Sequence, residues 1–161
     1  HDQSSAASDV YKRQDMGFPE LGVATLVSIG NPHAVFFVEN ADSVDLHHWG
    51  PLAEKHALFS DRANIEFAQV LDRQSIRMRV WERGAGVTLA CGSGACAAAV
   101  ASACRGLTEN EVTLRLDGGA LNIFWRRDTD GHVVMTGPTT YVAEGVISAS
   151  FFHDPETVGV A

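Results

Sequence analysis

The chain has 161 residues, 45% hydrophobic and 20% charged, with 20 acidic against 12 basic side chains for a formal charge of −8. That length can bury about 70% of its unfolded surface around one core, and the composition lies far from the low-hydrophobicity, high-charge regime of disordered chains. The acidic balance without a Lys/Arg cluster argues against a nucleic-acid partner, and the weakly polar run 89–104 is too short and too rich in Gly and Ala to span a bilayer.

In chain order, HDQSSAASDVYKRQ at residues 1–14 shows neither a period of 2 nor one of 3.6, and no run like a signal peptide. Residues 1–21 are therefore expected to be a disordered or extraneous extension. GVATLVSIG and AVFFV then predict two strands joined by a loop at 30–33. SVDLHHWGPLAEKH predicts a short helix capped by Ser43 or Asp45, with Leu46, Trp49 and Leu52 at helical spacing and Gly50-Pro51 disturbing it. Residues 64–71 and 75–82 predict a strand pair whose second member buries Ile76, Met78 and Val80 and exposes Arg77 and Arg79. ACAAAVASACRG predicts a small-residue helix ending near Gly106. Alternation then predicts strands through Val112–Leu116, Leu121–Trp125 and His132–Thr136, the last two joined through Asp130-Gly131. A final strand is expected from Tyr141 to Ile147, with residues 152–161 a frayed tail. The sum is an α+β lobe over residues 22–151, with a strongly curved, mostly antiparallel sheet around a central helix.

Cys91, Cys96 and Cys104 lie close together, unlike a disulfide framework, and their spacing without an intervening His does not suit zinc. Reduced thiols of a cytoplasmic protein fit better. Cys91 stands where the glycine-rich stretch RGAGVTLACGSG meets the helix. A helix N-terminus leaves N–H groups unpaired and carries the positive end of the dipole, which favours a substrate carboxylate and a thiolate alike. Cys91 is therefore expected to be accessible and to have a lowered pKa, whereas Cys96 and Cys104 share one helical face as inert packing residues. Glu82 and Arg83 close the alternating strand just before Gly84-Ala85-Gly86.

Read together, GNPHAV at 30–35, NIEF at 64–67, WERGAGVTLACGSGACAA at 81–98 and GPTTYVAEG at 137–145 resemble the ordered motifs of the carboxy-terminal half of the diaminopimelate epimerase family. The resemblance covers about residues 22–150 and implies one of two pseudo-symmetric lobes, each supplying a thiol to opposite faces of a substrate α-carbon. It implies no metal, pyridoxal or other cofactor. Cys91 matches the acid/base thiol of this lobe. Gly92 and Ser93 match positions whose N–H groups hold the α-carboxylate, and Glu82 matches the acid that holds the α-ammonium. Asn31, Asn64 and Arg83 match residues at the distal end of the substrate, and His33 a histidine beside the thiol. One departure is Val87, where the family usually has an acidic residue.

The implied activity is the interconversion of LL- and meso-diaminopimelate, for lysine and peptidoglycan precursors. The second thiol is expected from an amino-terminal lobe absent from these residues, without which the chain is expected to be inactive. Cys96 cannot replace it, because it lies along the same helix. A proline or hydroxyproline racemase, a phenazine-biosynthesis isomerase and a non-catalytic binding lobe are the competing readings. Asn31, Asn64 and Arg83 speak against a proline substrate, which has no distal carboxylate. The sequence does not set the oligomeric state, and a homodimer is one arrangement open to it.

Overall fold

The computed structural model describes residues 12–149. Nine strands form one mixed sheet: β1 Lys12–Asp15, β2 Val23–Ser28, β3 Pro32–Phe37, β4 Asn64–Asp72, β5 Ser75–Glu82, β6 Gly86–Thr88, β7 Glu111–Leu116, β8 Gly119–Trp125 and β9 Val133–Thr136. Two helices accompany them, α1 Leu46–Glu54 and α2 Gly92–Cys104, with a 3₁₀ turn at Ala41–Ser43. The sheet runs β1-β2-β3-β4-β5-β7-β8-β9, with β6 as a side branch on β5. Pairing is antiparallel except between β3 and β4 and between β5 and β7, so the mostly antiparallel α+β expectation holds. The sheet is open rather than strongly curled, with β1 and β9 as its two ends.

The two parallel pairings mark the two helices. A parallel neighbour needs a crossover, and α1 lies between β3 and β4 while α2 lies between β5 and β7. Each helix covers its own core. Ala34, Phe36, Ile65 and Phe67 join Leu46 and Ala53 of α1 in one cluster. Val35, Ile76, Met78, Val80, Leu114 and Ile123 join the small residues of α2 in the other. Strands β3 and β4 therefore read as continuous apolar runs, because both of their faces are covered.

Helix α2 touches strands β2, β3, β4, β5, β7, β8 and β9. Only Ala, Cys, Gly, Ser and Val side chains line it, which lets backbones approach from several directions. Its carboxyl end closes as the sequence predicts: Arg105 caps it, and Gly106 takes a left-handed φ of 69° while Leu107 N–H donates to the Ser102 carbonyl at 2.9 Å. Asp45 caps α1 by accepting from His48 N–H at 3.1 Å. Pro51 lies inside α1 without ending it, and the buried stripe runs through Leu46, Gly50, Ala53 and Glu54, with Leu52 turned outward.

Two of these expectations need correction, and one strand was missed. The unstructured extension through residue 21 gives way at Lys12, where β1 pairs with β2, and Met16 and Leu21 are buried behind it. KRQD lacks apolar alternation because a strand at the end of a sheet is held by main-chain hydrogen bonds, which no side-chain pattern reports. The short β6 was not anticipated, since Gly86 leaves only Val87 and Thr88 to show the alternation that pairing with β5 imposes. Residues 141–147 form no strand: Tyr141, Val142, Val146 and Ile147 are 65% or more exposed, and strand propensity without an adjacent edge leaves the segment unpaired. Residues 1–11 and the expected tail at 152–161 lie outside the described residues.

Candidate active site

Strand alternation decides which side chains face α2. In β3, Ala34 and Phe36 point to the α1 core, so His33 and Val35 point to α2. In β4, Ile65 and Phe67 face α1, and Asn64, Glu66 and Ala68 face α2; in β5, Val80 and Glu82 share the α2 side while Trp81 turns to α1. The parallel register sets His33 beside Asn64 and Val35 beside Glu66. One imidazole, one amide and two carboxyls thus come to the face of the sheet where α2 begins.

Cys91 is the N-cap of α2. Its Sγ accepts from Gly94 N–H at 3.4 Å and lies 3.6 Å from Ser93 Oγ. The N–H groups of Gly92 and Ser93 fall in the first turn, where a helix has no carbonyl to offer them. Met135 of β9 packs over Gly92, so a Cβ there would meet its Sδ at 3.2 Å. Cys91 is only 7% exposed, which corrects the expectation of an accessible, acidic thiol. Burial pushes its pKa up, the hydrogen bonds from Ser93 and Gly94 pull it down, and the Glu82 and Glu66 carboxyls add to the rise.

His33 is fully buried between two partners, with Nδ1 2.6 Å from Glu66 Oε1 and Nε2 3.0 Å from Asn31 Oδ1. Glu66 is fully buried as well, its Oε2 has no hydrogen-bond partner, and burial raises its carboxyl above the ordinary carboxylate range. Gly94 explains how closely these groups pack: a Cβ on it would sit 2.8 Å from Glu66 Oε1 and 3.2 Å from Cys91 Sγ. Glu82 Oε1 accepts from Thr88 Oγ1. Val87, paired with Trp81, packs on the α1 face, opposite Glu82.

Asn64 and Arg83 meet each other instead. Asn64 Oδ1 accepts from Arg83 N–H at 2.9 Å and its Nδ2 donates to the Pro32 carbonyl, so the amide ties the start of β4 to the end of β5. The Arg83 guanidinium donates to Asp61 at 2.9 Å. The structure therefore gathers Asn31, His33, Glu82, Cys91, Gly92 and Ser93 around the start of α2, with Asn64 and Arg83 at its flank. Glu66 is the member that sequence reasoning passed over. It sits inside NIEF, and its even spacing from Asn64 was the signal that both face α2. Among the described residues no group of three or more His, Cys, Asp or Glu side chains is arranged to hold a metal ion, and no helix is long and apolar enough to cross a membrane.

Fold and site together define an α+β lobe that gathers a thiol, an imidazole and two carboxyls at the start of one buried helix. The sequence profile described as Diaminopimelate epimerase matches residues 25–142, and the chain belongs to that family. It is 54% identical over 144 residues to the diaminopimelate epimerase of Rhodospirillum centenum, covering 89% of this chain and 48% of that protein. With the enzyme of Afipia carboxidovorans it shares 51% over 134 residues, 83% of this chain and 46% of the relative. The chain thus spans about half the length of the curated relatives it matches. Among solved structures, a phenazine biosynthesis protein of the PhzF family from Bacillus anthracis aligns with a TM-score of 0.48 at 23% identity, covering 78% of this chain and 37% of that one.

Proposed function

We propose that this chain is the carboxy-terminal lobe of a cytoplasmic diaminopimelate epimerase and supplies one of two acid/base thiols. The observation that carries this reading is Cys91 Sγ at the first turn of α2, beside two carboxyls, one of them paired with an imidazole, brought there by three strands. The Gly92 and Ser93 N–H groups and the helix dipole are suited to the substrate α-carboxylate. Glu82 is suited to the α-ammonium, which needs a fixed negative partner. Arg83, with Asn31 and Asn64, would select the distal carboxylate; a guanidinium now held by the exposed Asp61 has an exchangeable partner.

Inversion at the α-carbon needs a proton removed from one face and one delivered to the other, each within about 3 Å between heavy atoms. Cys91 serves one face only. The opposite thiol belongs to an amino-terminal lobe, which would also exclude water from the thiolate and the developing carbanion. The test is α-proton exchange and epimerisation of LL-diaminopimelate in deuterated water. The chain alone should be inactive, addition of the amino-terminal half of a close relative should restore turnover, and Cys91→Ala in that mixture should lower it at least about 100-fold. Turnover by the lone chain at the rate of the mixture, or full activity of the Cys91→Ala mixture, contradicts the reading.

A further inference from the structure

We propose that Glu66 is a positioning residue of this site: it holds one proton in common with His33 Nδ1, which fixes His33 as an N–H donor toward Asn31 and sets a net-neutral pair beside the Cys91 sulfur. The proposal rests on the reading of Cys91 as an acid/base thiol, but it is tested without turnover.

The argument begins with proton counting. Asn31 Oδ1, 3.0 Å from His33 Nε2, can only accept, so Nε2 carries a hydrogen. On the other side of the ring, Nδ1 and Glu66 Oε1 are 2.6 Å apart in fully buried surroundings. Without a proton between them, two lone pairs would face each other at that distance. The proton is therefore present, and the pair is either carboxylic acid with neutral imidazole or carboxylate with imidazolium. Both have zero net charge. Burial favours keeping the proton, since an ionised Glu66 would leave its unpartnered Oε2 charged and dry. The raised carboxyl pKa runs in the same direction.

The pair matters to Cys91 because of where Gly94 lets it sit. A single methyl group on Gly94 would press on Glu66 Oε1 and Cys91 Sγ at once. Two carboxyls oppose a thiolate here, Glu82 from β5 and Glu66 from β4, and the second of them is paired with the His33 imidazole of β3. A Glu66 that keeps its proton removes one of the two opposing charges. Cys91 then gives up or takes up the substrate proton next to a neutral neighbour.

The experiment uses the whole chain, labelled at histidine with ¹⁵N. The parent should show His33 with hydrogen on Nε2, and a proton resonance far downfield of the amide region correlated with the His33 ring. Absence of that resonance together with a bare Nδ1 overturns the proposal. Glu66→Gln keeps a neutral donor to Nδ1 but removes the carboxyl proton. It should lose the downfield resonance, keep the tautomer, and leave the rate of Cys91 alkylation by iodoacetamide within about twofold at each pH, because no charge is removed. An acceleration of about tenfold would mean that a full negative charge had been taken away, and would overturn the neutral pair. Glu66→Met, apolar and of similar length, should lose the downfield resonance and leave Nδ1 without a partner, moving the Nδ1 ¹⁵N shift while Nε2 keeps its hydrogen toward Asn31; an unchanged Nδ1 shift also overturns the assignment. If Glu66→Met does not fold, the parent and Glu66→Gln spectra decide alone. Epimerisation plays no part in these readouts, so failure here and failure of the two-lobe reading are separate results.

Discussion

A thiol at the start of a helix feels two opposing influences. The dipole and the first-turn N–H groups favour thiolate, while removal from water favours thiol. For Cys91 the second prevails, since the sulfur is 7% exposed, accepts one long hydrogen bond from an N–H group and has two carboxyls nearby. The consequence is an order of reactivity. Cys104 is half-buried at the end of α2, whereas Cys91 and Cys96 are buried, so iodoacetamide at pH 8 should label Cys104 first. Peptide mass spectrometry over time measures this, and Cys91 reacting ahead of Cys104 would contradict the buried-thiol account. At the same scale, Gly94 has no room for a Cβ beside Glu66 and Cys91. Gly94→Ala should cost about 1–3 kcal/mol, as overpacking does, visible as a lower urea midpoint, and should change the pH profile of Cys91 alkylation. Motif spacing made Cys91, His33 and Glu82 legible in the sequence. It missed the burial of Cys91 and the role of Glu66, because both depend on which strand faces pack against α2, a fact of the three-dimensional register.

At the scale of elements, the turn that carries Glu82 and Arg83 is braced from α1. Glu54 is almost fully buried, its Oε2 accepting from the Trp81 indole N–H and its Oε1 from Gly84 N–H, both at 2.9 Å. Trp81 in turn lies flat against Gly50 of α1, where an added Cβ would fall 2.4 Å from the ring. This is why a glycine survives in mid-helix despite its cost of about 1 kcal/mol relative to Ala. Propensity alone marks Gly50-Pro51 as a disturbance, because it does not show a ring from another element filling the missing side chain's place. Gly50→Ala should therefore destabilise the chain by about 1–3 kcal/mol instead of stabilising it. Urea denaturation followed by tryptophan fluorescence distinguishes the two signs. Glu54→Ala should cost a similar amount, about 1–3 kcal/mol, by leaving the indole and the Gly84 N–H unsatisfied. Strands with alternating side chains were legible from sequence. The end strand β1 and the three-residue β6 were not.

Across the whole molecule, the perturbed groups divide by sign, and the division sets how stability follows pH. Hydrogen bonds and arginines hold Glu54 and Asp117 below their ordinary values against the opposing effect of burial. A lowered carboxyl contributes stability above its unfolded pKa and loses it as pH falls through the folded value, so these two favour the folded state less and less below about pH 4. Glu66 has the opposite sign. Burial raises its carboxyl, so its contribution is fully present below the unfolded value near pH 4.3 and is lost as pH rises from there through the folded value. The buried Cys91 and Cys96 thiols act in the same sense from about pH 8.5 upward. Other groups titrate in the same range, so Glu66 is isolated by difference, with Glu66→Gln measured beside the parent by urea denaturation from pH 4 to 8. Because folded Glu66 keeps its proton while the unfolded chain releases it, the parent should lose stability relative to the variant as pH rises. The limiting slope is about 1.4 kcal/mol per pH unit. A difference that does not change with pH would mean that the buried carboxyl ionises as readily in the fold as in the open chain. A difference that grows in the parent's favour as pH rises would mean that Glu66 is held as a carboxylate below its unfolded pKa, with no proton shared with the buried His33.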